Sequence, residues 1–151
     1  MTAATILNRR AKREYEILDQ YEAGIELTGS EVKSLRLGKA NIGDAYADPR
    51  DGELWLINCH ISEYSHASKD LQHSPIRPRK LLLHKKEIRK LNGSVQKKGL
   101  SLVVLKIFFN KKGMIKVHLG LGRGKKEYDK RADDKRKDWD RQKQRLLRVK
   151  D

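Results

Sequence analysis

The sequence predicts a mainly β fold with short helices, in which a small closed antiparallel β-barrel of the OB type carries a basic C-terminal tail. Short runs of β-branched, aromatic and aliphatic residues alternate with turn signals, whereas helical spacing of apolar residues is confined to two short stretches. A sheet of five or six strands avoids open edges by closing on itself, which favours a barrel. We therefore expect residues 1–122 to form the barrel and residues 123–151 to form the tail.

The first part of the chain predicts an arm, a strand and a short helix. Residues 1–12 are basic, and we expect them to form a loose arm. Partial alternation predicts a strand over Tyr15–Leu27, with Gly24 at a bulge or a close backbone approach. In Thr28–Glu31 a hydroxyl precedes a glutamate by three residues, which is the spacing of a capping box. A short helix should start there and end at Gly38.

The middle of the chain predicts a hairpin, a loop and a second helix. Apolar runs flank Pro49–Gly52, and an Asp-Gly pair between strand-like runs is a strong turn signal. Residues 64–79 have no clear period and contain two prolines, so we expect the longest loop of the body there. Residues 84–91 predict a helix, and the pair Asn92-Gly93 should interrupt the pattern.

A second hairpin is predicted before the tail. The β-branched and aromatic run Leu100–Phe109 is followed by the turn Asn110–Gly113 and by the alternating run Met114–Leu121. The glycines of segment 120–124 should then form a flexible exit from the last strand into the tail.

The tail has too few apolar residues to fold alone. It contains thirteen Lys and Arg against seven Asp and Glu. Ala132, Trp139 and Leu146 are seven residues apart and would form only a thin stripe on a helix, too narrow to offset the entropy of ordering. Acid-before-base pairs at i,i+4 nevertheless support helix. We expect a frayed coil in water that becomes a helix on a polyanion such as RNA.

Charge indicates a phosphate-bearing partner. The net charge is +15, with +6 in the tail and +9 in residues 1–122, so two separate regions are basic. The alternative is a merely soluble charged surface, which an excess this large disfavours. Cys59 is the single cysteine, which excludes an internal disulfide and fits a reducing compartment. With no signal-peptide pattern and no apolar run of about 20 residues, we expect a cytosolic monomer.

The sequence contains no recognisable catalytic or cofactor motif. Cys59 and His60 are neighbours on a predicted strand and point to opposite faces, so they cannot form a dyad, and Cys59 is expected to be buried. The five histidines lack metal-ligand spacing. Segment 120–126 is rich in glycine, but Lys126 stands where a phosphate loop needs Ser or Thr. We predict neither a metal site, nor a cofactor, nor an enzyme.

Three basic patches are candidate RNA contacts. Tyr15 and Tyr21 lie among them and could either stack on bases or pack in the strand. Glu22 and Glu31 are acids in basic stretches, and their spacing favours a salt bridge to a nearby arginine for the first and a helix cap for the second over RNA contact. The patches are Asn8 to Arg13; Lys33, Arg36 and Lys39 with Asn41; and Arg77, Arg79 and Lys80.

Four segments carry a specific resemblance. NRRAKREYEI, EAGIELTGSEVKSLRLGKANI, RPRKLLLHKKEI and GKKEYDKR, in this order, closely resemble the SsrA-binding protein family, also called small protein B. The resemblance runs from about Asn8 to Leu147 and implies an OB-like body that binds the tRNA-like domain of transfer-messenger RNA. It further implies that the body mimics a tRNA anticodon arm on stalled ribosomes, without catalysis. The tail, disordered when free, would become helical in the empty mRNA channel beside the small-subunit decoding centre.

The resemblance and the basic patches together give two sets of candidate residues. The resemblance implies an RNA-facing role for Glu22, which its spacing alone did not favour. It also implies that Tyr128 could stack on a ribosomal base and that Trp139 would anchor the tail helix. The RNA-binding set is Asn8, Arg9, Arg13, Glu22, Lys33, Arg36, Lys39, Asn41, Arg79 and Lys80. The decoding-centre and channel set is Gly124, Lys125, Lys126, Tyr128, Asp129, Lys130, Arg131, Lys135, Arg136 and Trp139.

Two other classes of protein compete with this interpretation. A structural ribosomal protein would also combine a small barrel with a basic tail, and charge does not separate the two. A nuclease would need clustered acids for a metal or a His pair near phosphate, and neither pattern is visible.

Overall fold

The computed structural model describes residues 4–125 and 127–149 of the chain. Strands dominate the first part, and a long helix follows them. In chain order the elements are β1 Ile6–Leu7, α1 Ala11–Glu14, β2 Tyr15–Ile25, α2 Gly29–Arg36, β3 Ala40–Asn41, β4 Tyr46–Arg50, β5 Glu53–Ile57, β6 His60–Ile61, β7 Arg79–Leu82, α3 Lys85–Lys98, β8 Ser101–Phe109, β9 Ile115–Gly124 and α4 Glu127–Val149.

Within residues 4–125, six antiparallel strands close into a ring. The order is β8-β4-β5-β7-β2-β9, and β9 pairs again with β8. Strand β1 adds to β8, while β3 and β6 form a separate two-stranded sheet. Alternate side chains point inward and build the core, with Leu54, Leu56 and Leu119 fully buried. The mainly β class is therefore confirmed.

The local turn and cap signals are confirmed. Asp51 and Gly52 have φ values of 50° and 77°, as expected for a tight hairpin turn between β4 and β5. Helix α2 begins after Thr28, whose backbone N–H donates to the Glu31 carboxylate at 2.9 Å. The chain leaves that helix through Gly38, at a φ of 73°.

The second helix is longer than predicted. Helix α3 continues through Asn92 and Gly93 and ends only before Gly99, which has a φ of 65°. One glycine inside a helix costs about 1 kcal/mol. Burial of Ile88 and Leu91 against the ring offsets that cost, so the pair does not stop the helix.

The prediction of a flexible exit over residues 120–124 is wrong. Strand β9 extends to Gly124 and pairs with β2 along its whole end. The glycines admit close packing: a Cβ on Gly120 would lie 3.1 Å from Leu105 Cδ1, and one on Gly122 would lie 3.1 Å from Tyr15 Cβ. The strand thus continues past the predicted boundary at residue 122.

The prediction of a loose arm is wrong for residues 4–12. Ile6 is buried and pairs with Ile107 of β8. The Asn8 side chain donates from Nδ2 to the backbone oxygen of Val104 at 2.9 Å. An apolar anchor and a side-chain hydrogen bond therefore fix the arm to the ring.

Gly24 lies at a close approach, because a Cβ there would be 3.3 Å from Leu82 Cβ. The register shift of β2 falls instead between Ile17 and Asp19.

Near the other end of the chain, residues 127–149 form the single helix α4. That this segment is a coil in the free protein stays a prediction. No helix in the described ranges is both long enough and apolar enough to cross a membrane.

Candidate RNA-binding surface

The arm and the segment after α2 form one continuous surface. Asn8 Nδ2 also donates to the backbone oxygen of Ile42, at 3.3 Å. The Arg10 guanidinium lies beside Gly43, where a Cβ would be 3.0 Å from Nη2. Arg10 of the first patch and Asn41 of the second thus lie close together in space. We call Arg9, Arg10, Lys33, Arg36, Lys39 and Asn41 the basic surface; all six side chains are exposed.

Helix α2 points its basic side chains outward because its other face is buried. Ser34 Oγ donates to the backbone oxygen of Ser62 at 2.7 Å, and Ser30 Oγ lies 2.8 Å from Nδ1 of the buried His73. Lys33 and Arg36 are three residues apart on the solvent side, so they are neighbours on one helix face.

Arg79 does not belong to the RNA-binding set. Its side chain is 0% exposed and forms an ion pair with the equally buried Glu31. It also donates to the backbone oxygens of Cys59 at 2.7 Å and Pro75 at 3.1 Å. The guanidinium is shielded from solvent and fully engaged by these partners, so Arg79 holds the loop before β7 against α2. The prediction of RNA contact by Arg79 is wrong for this reason.

Glu31 caps α2 and is the anion of this buried cluster. Arg77 Nη2 lies 2.5 Å from Glu31 Oε1 on the side nearer solvent. Burial alone would raise the pKa of Glu31, but hydrogen bonds from Arg77, the Thr28 N–H and Arg79 outweigh it and hold the pKa below its usual value. The helix-cap interpretation of Glu31 is confirmed.

Lys80 and Glu22 lie on other strands of the ring. Lys80 is on β7, and its Nζ is 2.9 Å from Glu53 Oε1, a contact that raises the lysine pKa. Glu22 is exposed on β2 opposite His118 of β9. The structure places no arginine salt bridge on Glu22 within the ranges it covers, so its carboxylate stays available to solvent or RNA.

The two tyrosines differ. The Tyr21 hydroxyl donates to the Asp19 carboxylate at 2.8 Å, and its ring packs against the core. Burial, followed by the hydrogen bond to Asp19, raises the pKa of Tyr21 to about 12. Tyr21 therefore packs as a strand residue. Tyr15 is half-buried and lines a cleft beside α1.

The first turns of α4 contact the arm. The Arg13 guanidinium donates two hydrogen bonds to the Asp134 carboxylate, from Nε to Oδ1 and from Nη2 to Oδ2, each at 3.1 Å. Lys125 Nζ donates to the backbone oxygen of Lys12 at 2.8 Å. Trp139 is 56% exposed, with Lys143 Nζ 5.2 Å from its ring centroid. The second half of the helix thus projects a basic, solvated surface.

The residues predicted to enter the mRNA channel extend from the end of β9 to the middle of α4. Gly124 ends β9, Lys130 is half-buried, and Arg131, Lys135 and Arg136 are exposed. Lys126 and the side chains of Tyr128 and Asp129 lie outside the described residues.

Sequence reasoning missed two features of this surface. The Glu31–Arg79 pair was recoverable, because Arg79 is two residues before the inward-pointing Leu81 on the same strand. The position of Tyr64, whose ring centroid is 5.6 Å from Lys33 Nζ, had no local signal, since the loop brings it there across 31 residues. In the portion of the chain the structure covers, no group of three or more His, Cys, Asp or Glu could hold a metal ion.

Comparison with known proteins gives a consistent family. A family model described as SmpB protein matches residues 5–149. The SsrA-binding protein of Rhodopseudomonas palustris (strain BisB18) is 53% identical over 142 residues, covering 94% of this chain and 90% of the relative. That of Rhizobium meliloti (strain 1021) is 53% identical over 141 residues, covering 93% and 88%.

A solved structure also matches. A chain in the work described as "tmRNA-SmpB: a journey to the center of the bacterial ribosome" aligns with a TM-score of 0.69 and 54% identity, over 83% of this chain and 87% of that one. At this identity and coverage, sequence and structure lead to one conclusion: the chain belongs to the SmpB protein family of SsrA-binding proteins.

Proposed function

We propose that this protein binds transfer-messenger RNA and delivers it to stalled ribosomes for trans-translation, in which ribosomes are rescued and incomplete proteins are tagged. It acts by binding, as a cytosolic monomer and without catalysis. The observation that carries the proposal is the pairing of a rigid ring that exposes a basic surface with a separate basic helix, in a chain of this family.

The body supplies the grip on the tRNA-like domain. In the described part of the chain, no carboxylate lies within 4.0 Å of the charged groups of Arg9, Arg10, Lys33, Arg36 or Lys39. Their charge is therefore free to release counterions from RNA phosphates. The ring is of the OB type in this proposal, and the body stands where a tRNA anticodon arm would lie. Asn8 sets the position of the arm, and the exposed Glu22 accepts hydrogen bonds from a base or ribose.

Helix α4 supplies the sensor for an empty channel. Its described side chains from Lys135 to Leu146 are all exposed, so little apolar burial holds the helix in water. A vacant mRNA channel, lined by RNA phosphate, would stabilise it as Lys and Arg release counterions. Message already lying in the channel would exclude it by volume and by charge. This competition gives selectivity for stalled ribosomes.

Truncation tests the division between body and tail. A chain ending before Tyr128 should bind transfer-messenger RNA at least as tightly as the full chain but should not support tagging on stalled ribosomes, because the basic surface remains and the channel segment is gone. Affinity follows from titration of the labelled RNA, and tagging from a reconstituted translation assay. Loss of RNA affinity on truncation would contradict the division.

A charge reversal tests the basic surface. Lys33→Glu with Arg36→Glu should weaken RNA binding and reduce the slope of log K against log salt, since two phosphate contacts are lost. The matched control is Lys111→Glu with Lys112→Glu, the same charge change on the exposed turn between β8 and β9. An unchanged slope for the α2 variant would remove this helix from the interface.

A further inference from the structure

A cleft of about 610 Å³ lies beside Lys33, between the start of α2 and the loop after β6. Thr28, Ser30 and Lys33 line one wall. Tyr64, His66 and Leu71 line the other. The basic surface thus continues into a concave site with aromatic and apolar walls.

The loop wall is held in place by specific hydrogen bonds. The Gln72 amide bonds to both backbone groups of Tyr64: the Tyr64 N–H donates to Oε1 at 3.0 Å, and Nε2 donates to the Tyr64 oxygen at 2.8 Å. The buried His73 then bridges Ser30 Oγ at 2.8 Å and the Ile61 backbone oxygen at 2.9 Å. The backbone that carries Tyr64 is therefore held in place, which lowers the cost of binding.

The chemistry of the cleft matches a nucleotide. The rings of Tyr64 and His66 meet edge to face, with centroids 5.4 Å apart and planes at 70°. Lys33 lies over the Tyr64 ring, and Leu71 is 74% exposed on the same wall. Aromatic faces stack on bases, an ammonium binds phosphate, and the carboxylate of Asp70 at the rim can accept from an exocyclic amino group.

We infer that this cleft binds an unpaired nucleotide of the RNA, with its base stacked on the Tyr64–His66 pair and its phosphate on Lys33. The inference rests on the proposed function, because the nucleotide is part of the RNA that the basic surface holds. A peptide ligand is disfavoured by the position of the cleft at the edge of a strongly cationic surface.

The combined substitution Tyr64→Leu and His66→Ala tests the stacking. It keeps apolar volume at 64 but removes both π faces. We expect RNA affinity to fall about 5- to 10-fold, with an unchanged slope of log K against log salt, because stacking is not electrostatic. Tyr64→Phe should bind as the wild type does, whereas Lys33→Ala should lower the slope by about 0.7–0.9.

The outcomes distinguish failure of the nucleotide site from failure of the proposed function. Wild-type affinity in the Leu–Ala variant overturns the nucleotide site and leaves the proposed function intact. Absence of RNA binding by the wild type overturns the proposed function itself. A readout without substitution guards against misfolding: ultraviolet cross-linking of the wild-type complex should place a nucleotide adduct on Tyr64 or His66. Adducts confined to peptides outside residues 62–72 would overturn the site.

A second inference rests on a different contact, between the arm and the tail helix. Arg13 and Asp134 face each other through two parallel nitrogen–oxygen contacts, with side chains 40% and 45% exposed. Arginine uses this fork geometry for phosphate as well as for carboxylate. The tail carboxylate thus fills the position that an RNA phosphate would take on Arg13.

We propose that Asp134 competes with RNA for Arg13, so that RNA binding to the body releases the first turns of α4. This rests on the proposed function, in which Arg13 faces the RNA. By linkage, fixing the tail to the body weakens RNA binding by the same factor as RNA weakens the tail contact. The contact would thus hold only the start of the tail near the body until the RNA is loaded, and it leaves the residues after Asp134 free to be a coil.

The isosteric substitution Asp134→Asn tests the competition. An exposed ion pair is worth less than about 1 kcal/mol, so RNA affinity should rise about two- to fivefold. The matched control is Asp140→Asn, which makes the same charge change at an exposed position further along α4. The gain from Asp134→Asn should disappear in an Arg13→Gln background. Equal effects of the two Asn variants, or an undiminished gain without Arg13, would overturn the competition.

Discussion

At the scale of single residues, the buried ion pair between Glu31 and Arg79 lies beneath the helix that carries Lys33 and Arg36 of the basic surface. It ties the first turn of α2 to the loop before β7, and both side chains are fully buried. Lys33 lies on the same turn of α2 as the buried Glu31, and its own side chain is exposed. Cations on a mobile segment would bind RNA without a fixed register. The helix that carries Lys33 is instead fixed to the loop before β7 by the buried ion pair.

Breaking this pair should be far more costly than breaking an exposed one. Arg79→Met keeps the length of the side chain but leaves Glu31 short of its buried partner, so we expect a loss of about 3–5 kcal/mol in the free energy of unfolding. Arg50→Met, which breaks the exposed pair with Asp48, should cost less than about 1 kcal/mol. Urea unfolding followed by circular dichroism measures both. Similar costs would contradict the structural role of Arg79.

The pH dependence of stability should depend on Glu31. Its folded-state pKa is below the usual value of 4.5, so the unfolded chain takes up the proton first as the pH falls. The stabilisation is present above about pH 4.5 and is lost as the pH drops through the lowered folded-state pKa. Glu31→Gln should therefore flatten the acid limb of the stability curve, and Glu63→Gln, at an exposed position, should not. Identical acid limbs for the two variants would rule this out.

Cys59 should be inert in the folded protein. It is buried, and burial raises the pKa of its thiol to about 11, with opposing effects of Arg79 and Glu31. A thiol reagent at pH 8 should label it at the rate of opening or unfolding and within seconds in denaturant. Fast labelling of the native protein would show that the site is accessible.

Residue types alone misassigned Arg79, whereas the local spacing assigned Glu31 correctly. An arginine in the run RPRK resembles an RNA contact, but its partner is 48 positions away in sequence and only the fold brings them together. The capping spacing of Glu31, by contrast, is local and was readable from the chain. Short-range chemistry was predictable, whereas the sharing of one carboxylate by a cap and two arginines was not.

At the scale of elements, local signals gave the hairpins and α2, while tertiary packing set the ends of the others. Gly93 looked like a breaker, but the buried face of α3 carries the helix through it. The glycines of β9 looked like a hinge, but β2 and β8 pair across them. Pairing between strands distant in sequence is not visible in a single segment, so boundaries there could not be predicted.

Two glycine-to-alanine substitutions should have opposite signs. At Gly93 a Cβ would meet nothing within 4 Å inside a helix, so Gly93→Ala should stabilise the protein by about 0.5–1 kcal/mol. At Gly122 a Cβ would lie 3.3 Å from the Glu16 backbone oxygen and 3.1 Å from Tyr15 Cβ, so Gly122→Ala should destabilise it by about 1–3 kcal/mol. Thermal unfolding measures the pair. Destabilisation at Gly93 or tolerance at Gly122 would show that these elements pack differently.

At the scale of the whole molecule, positive charge is divided between a packed ring and a helix with little burial. The ring carries its charge on a fixed surface, whereas the second half of α4 touches solvent on every described side chain. Both contribute to the net charge of +15. A rigid cationic body suits a folded RNA, and a weakly held cationic helix suits a channel that must first be empty.

The central claim is that α4 reads whether the ribosomal channel is vacant. The most direct test is cross-linking from a photoreactive group at Trp139 to ribosomes that carry messages of increasing length past the decoding site. We predict a high yield on ribosomes whose message ends at that site and a steep fall as message fills the channel, while RNA binding by the body stays constant. Equal yield at every message length would contradict the claim.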